Sequence, residues 1–134
     1  MPAEGGDAVQ VTRNGGFVVE ESTDGRTLFY TKSDTTSEVW SMPMTGGDES
    51  RLFDGADNRM FAVASRGIYY IRKAAPPTSS TIGYFDLATG ATRVLGTINK
   101  PLYWGLTVSP DGRRLIYTQT DSITSDLVLV EGFK

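Results

Sequence analysis

Ser22-Thr23-Asp24-Gly25-Arg26-Thr27-Leu28-Phe29-Tyr30-Thr31 and Ser109-Pro110-Asp111-Gly112-Arg113-Arg114-Leu115-Ile116-Tyr117-Thr118 are two copies of one pattern, a Ser-x-Asp-Gly turn followed by an apolar strand ending in Tyr-Thr. A degenerate third copy lies between them, with Ser65-Arg66-Gly67 where the others have the four-residue turn, so it is one residue shorter and has no aspartate. Ser22, Ser65 and Ser109 stand 43 and 44 residues apart. A period in that range marks a repeat architecture.

Outward from each turn, short apolar clusters separated by Gly, Asp, Asn, Ser and Pro predict strands. Unit one predicts strands at 17–20, 28–32, 38–42 and 49–53, with Gly46-Gly47 as a tight turn. Unit two predicts 60–63, 68–71, 81–87 and 92–95. Unit three supplies 104–108, 115–119 and 126–130 and lacks a fourth strand. A strand of that character stands instead near the start, at Ala8 to Thr12. The expected organisation is an outer strand at 8–12, then units at 13–54, 55–97 and 98–131.

Tandem four-stranded units of this length are the sequence form of an all-β propeller. A β-sandwich of about eleven short strands is the competing fold, and register-matched repeats are not expected of one. Ser109 to Thr118, together with Glu38-Val39-Trp40-Ser41-Met42-Pro43 followed by Gly46-Gly47, resembles the TolB-type, WD-repeat-like propeller repeats of bacteria. The likeness runs from about Gly5 to Glu131. It implies a propeller segment from a larger bacterial protein, of the kind in which such repeats follow a winged-helix DNA-binding or Ser/Thr kinase domain.

Composition narrows the chemistry. The 134 residues contain no Cys and no His, which removes Ser-His-Asp and Cys-His catalysis and the common zinc sites. Sixteen acidic against thirteen basic residues, net −3, with no Lys/Arg stripe, argue against a nucleic-acid partner. The apolar runs are a handful of residues long, so no membrane-spanning helix and no signal peptide are expected. No cofactor or metal is implied, because the acidic residues lack the spacing of a calcium loop.

Asp24 and Asp111 read as turn caps and not as catalytic carboxylates, since Asp before Gly commonly binds backbone N–H groups while Gly takes positive φ. Nor is this a sialidase-type Asp-box, in which one residue separates Asp from Gly. Asp121, Asp126 and Glu131 read as solvated charges. Tyr30, Tyr70 and Tyr117 recur in the second strands, and Trp40, Tyr84 and Val128 in the third, as expected of a core.

Gly16-Phe17, Arg59-Met60 and Tyr103-Trp104 align at the entry to the first strands but differ in chemistry. In a propeller these positions lie near the channel mouth, which makes Phe17, Arg59, Met60, Tyr103 and Trp104 the candidate ligand-binding residues. Plugging the channel is the bland alternative. Lys32, Lys73 and the loop Ala74-Ala75-Pro76-Pro77 are expected on the same rim. No catalytic residue is expected.

Three units leave two faces and one edge uncovered. A homodimer closing as a six-bladed ring, with Ala8 to Thr12 of each copy completing the third blade of the other, is the expected assembly. The function expected is a non-catalytic module for a protein, peptide or small ligand. An accessory propeller of a hydrolase or peptidase and a purely structural self-assembling fragment are the alternatives.

Overall fold

The computed structural model describes residues 3–57, 60–73, 79–120 and 122. Ten strands follow one another with no helix among the described residues: β1 (Val19–Glu21), β2 (Thr27–Tyr30), β3 (Glu38–Pro43), β4 (Ser50–Asp54), β5 (Phe61–Val63), β6 (Gly67–Lys73), β7 (Ser80–Asp86), β8 (Thr92–Ile98), β9 (Leu102–Val108) and β10 (Leu115–Gln119). They form three antiparallel meanders, β1-β2-β3-β4, β5-β6-β7-β8 and β9-β10, and no barrel closes. The protein is therefore all-β, with one sheet for each sequence unit.

The eight strands expected of units one and two are all present. The expected third strand of unit three, 126–130, lies outside the described residues. Ala8 to Thr12 forms no strand within the chain.

The Ser-x-Asp-Gly turns are built alike. In unit one the Ser22 hydroxyl donates to Asp24 Oδ1 (2.6 Å) and accepts from the Thr27 amide (2.9 Å), while Asp24 Oδ1 accepts from the Arg26 amide (3.0 Å). In unit three Ser109 donates to Asp111 Oδ1 (2.5 Å), which accepts from the Arg113 amide (3.0 Å). Gly25 and Gly112 take φ of 72° and 71°, where a side chain is strained. Both carboxyls are held below the ordinary aspartate range, first by the serine hydroxyl and then by backbone N–H groups.

Two cores lie between consecutive sheets. Phe29, Val39 and Phe53 of unit one meet Phe61, Ile68, Tyr70 and Phe85 of unit two. Met60, Ala62 and Ile71 of unit two meet Leu106 of unit three. The sheet of unit two buries residues on both faces, Phe61, Tyr70 and Phe85 toward unit one and Ala62 and Ile71 toward unit three, as the strand period of two requires. The first strands lie side by side in chain order, β1 touching β5 and β5 touching β9.

Tyr30 and Tyr70 are buried as expected, and Tyr117 is half-buried. Trp40 and Tyr84 depart from the core expectation: both are half-buried, with Lys32 Nζ 3.6 Å from the Trp40 ring centroid and the Arg93 guanidinium 5.1 Å from that of Tyr84. Val128 lies outside the described residues. The third strands contribute Val39, Met42 and Phe85 to the interior instead.

Candidate functional site

The end of the sheets opposite the Ser-x-Asp-Gly turns carries the proposed contact face. Phe17 stands there, 42% exposed, its amide donating to Thr31 O (2.8 Å) just ahead of β1. Met60 does not share that surface. It is fully buried with Ala62, Ile71 and Leu106, so its place among the contact residues is withdrawn.

Register supplies the reason. The Thr31 amide donates to Val18 O (3.0 Å) and the Ile71 amide to Met60 O (2.9 Å), which makes Met60 the counterpart of Val18 and not of Phe17. The shorter turn of unit two displaced the alignment by one residue, and in a strand a slip of one exchanges the two faces. Arg59 lies outside the described residues, and for Tyr103 and Trp104 the description extends to the backbone, within β9.

Lys32 and Lys73 both reach this end but are engaged, Lys32 Nζ with Glu49 Oε1 at 3.1 Å and Lys73 Nζ with Asp57 Oδ2 at 3.2 Å. The loop 74–77 lies outside the described residues.

A polar cluster that the sequence did not single out binds the start of the chain to unit one. Glu49 accepts from Asn14 Nδ2 (2.7 Å), from Lys32 Nζ (3.1 Å) and from the Tyr30 hydroxyl. These contacts, Tyr30 first, then Asn14 and Lys32, push the Glu49 carboxyl down to about 2. Burial, and then the Glu49 carboxylate, push the Tyr30 phenol up. A carboxylate so fully occupied is a latch and a poor proton acceptor. The partners lie 35, 19 and 17 residues from Glu49, beyond the reach of any local signal.

The latch lays residues 10–14 beside Met42 and the hairpin 45–49, enclosing a cleft of about 420 Å³. The face of unit one turned away from unit two is thus partly covered by the chain itself, which the sequence reading had left bare. Gly15 makes this possible. Its φ is 95°, and a Cβ there would stand 2.8 Å from Lys32 O.

Gly55 holds the corresponding place one unit later, with φ of 106°, but a Cβ there would strike a side chain, the Arg72 guanidinium, 1.9 Å from Nη2. Arg72 donates from Nη2 to Asp54 O (3.0 Å) and from Nε to Gly55 O (3.4 Å). Lys32 and Arg72 hold the same place, each two residues past the buried tyrosine of its second strand.

Comparison with protein-family models, curated proteins and solved structures finds no match. The site is read from its own geometry. Among the described residues no three carboxylates gather to hold a metal. What the Phe17 end offers is an exposed aromatic beside paired charges, the makings of a contact surface.

Proposed function

We propose that this chain is three units of a TolB-type β-propeller, a non-catalytic module that binds a protein, peptide or small ligand at the end of the sheets carrying Phe17. Arg59, Tyr103 and Trp104 enter the reading from sequence, and Met60 leaves it. Two copies close a six-unit ring, and residues 8–12 of each supply the outer strand that the other's third unit lacks.

The observation that carries this reading is the repeated joint. Gly55 at positive φ against Arg72 brings the chain from unit one into unit two, and Gly15 at positive φ against Lys32 takes the corresponding place at the head of unit one, with a backbone carbonyl where Gly55 meets a guanidinium. This supports reading residues 8–14 as the outer strand of a preceding unit. The side-by-side first strands supply the radial order that a propeller needs.

Light scattering at micromolar concentration is expected to give twice the 14.6 kDa chain mass. A monomer would overturn the ring. Deleting residues 1–12 is expected to weaken the association, and unchanged mass and melting temperature would refute the strand exchange.

A further inference from the structure

Unit two departs from its neighbours at the β5–β6 turn. Its turn is two residues shorter and has no carboxylate, and by register Arg66 takes the place of Arg26, the Met44 and Leu87 amides donating to Arg26 O and Arg66 O. Arg66 borders a surface cavity of about 320 Å³, lined also by Arg93 of β8 and Tyr84 of β7, with Thr89, Thr92 and Asp86 completing the part used here. Tyr84 and Arg93 are cross-strand partners, so two of the groups stand on a paired sheet and not on a loop.

Tyr84 is held from two sides. Its ring lies 4.9 Å from that of Tyr69, which is itself held to unit three by a hydroxyl bond to Gly112 O (3.3 Å). Its phenol lies over Gly67, where a Cβ would stand 2.5 Å from the hydroxyl. The missing side chain at Gly67 is what lets the hydroxyl reach the turn beside Arg66.

The charges at this cavity are unevenly engaged. Asp86 Oδ1 accepts from the amides of Ala88 (2.8 Å) and Thr89 (3.1 Å), so its charge is taken up inside the β7–β8 turn. Neither Arg66 nor Arg93 forms an ion pair among the described residues. Two guanidinium groups thus line the cavity with Tyr84, and its one carboxylate, Asp86, is bonded to backbone amides.

We infer that this cavity is an anion site for a phosphoryl group, gripped by Arg66 and Arg93 with the Tyr84 hydroxyl as a further donor. Guanidinium forks match the oxygens of a phosphate, and two positive charges suit a dianion better than the single charge of a carboxylate. The site sits at the turn end of the sheets, opposite Phe17, and is independent of whether the ring closes.

Inorganic phosphate, titrated into the full chain at constant ionic strength and followed by amide and arginine Nε–H NMR, tests this. Saturable shifts are expected at Arg66, Gly67 and Arg93. Arg66→Asp, which reverses the charge, is expected to weaken binding by about tenfold or more, the loss of a charged hydrogen bond. Arg66→Lys, keeping the charge without the fork, is expected to fall between. Acetate is expected to bind about tenfold more weakly than phosphate, in keeping with its single charge. Shifts that never saturate, or that spread equally to Arg26 and Arg113, would overturn the site. Acetate binding as tightly as phosphate would overturn the phosphoryl assignment. If Arg66→Asp does not fold, the wild-type titration decides alone.

Discussion

The two joints between units use one strand register and different materials. Between units one and two, Phe53 packs 4.8 Å from Phe85 and 4.7 Å from Tyr70, ring centre to ring centre. Charged side chains then close that joint onto the backbone. Glu20 Oε2 accepts from the Val63 amide (2.8 Å), and Arg72 donates to the carbonyls of Asp54 and Gly55. Between units two and three the buried set among the described residues is aliphatic and small, and its neighbours Tyr69, Ile82, Leu102, Val108, Leu115 and Tyr117 are only partly buried. A repeat protein shares its stability among such joints, and among the described residues the first is the better sealed.

Truncation on either side gives the sharpest test. Phe61→Ala removes a ring that is 2% exposed in the first joint and is expected to cost about 3–5 kcal/mol, whereas Leu106→Ala in the second should stay near the lower end of the range for such changes, about 2 kcal/mol. Urea unfolding of both variants, with equal slopes, reads the difference. Equal losses would dissolve the distinction between the joints.

A finer test lies within one sheet. A Cβ on Gly83 would stand 2.3 Å from Tyr70 Cζ, while one on Gly96 of the neighbouring strand meets nothing within 4 Å. Gly83→Ala must push the Tyr70 ring out of the first joint and is expected to lose about 1–3 kcal/mol. Gly96→Ala should change stability by less than about 0.5 kcal/mol. Thermal unfolding of the pair measures how tightly the joint is packed.

Strand positions were legible because Val, Ile, Phe and Tyr cluster between turn residues, and the turns were legible because the Ser-x-Asp-Gly bonds are local. Met60 was misplaced because Ser65 was matched to Ser22 although the paired strands put Ala64 there, the unit-two turn being two residues shorter. Trp40 and Tyr84 looked like core because they are large and recur. Their faces are shielded by Lys32 and Arg93, long side chains whose stems cover aromatic surface while their charges stay near water. The Glu49 latch was invisible, since nothing near Glu49 announces Asn14 or Tyr30.

The same contrast reaches the acid limb of stability, where two glutamates act with opposite sign. Glu49 falls from an ordinary 4.5 to about 2 in the fold, so its contribution is present above 4.5 and is lost as pH drops from 4.5 towards 2. Glu20, half-buried in the first joint, is shifted the other way: burial raises its carboxyl and the Val63 amide only partly offsets this. Its stabilising form is the protonated one, fully present below 4.5 and lost as pH rises through the raised value. At neutral pH the buried charge offsets part of what the bond to the Val63 amide contributes. Glu20→Gln keeps a carbonyl acceptor for the Val63 amide and removes the buried charge, so it is expected to leave stability at pH 7 unchanged or slightly higher. That advantage should shrink below pH 4.5, where the wild-type carboxyl is already neutral. Glu20→Ala leaves the Val63 amide without its acceptor and is expected to lose about 1 kcal/mol. If Gln loses as much as Ala, the charge itself holds the two units together, and the sign assigned to Glu20 is wrong.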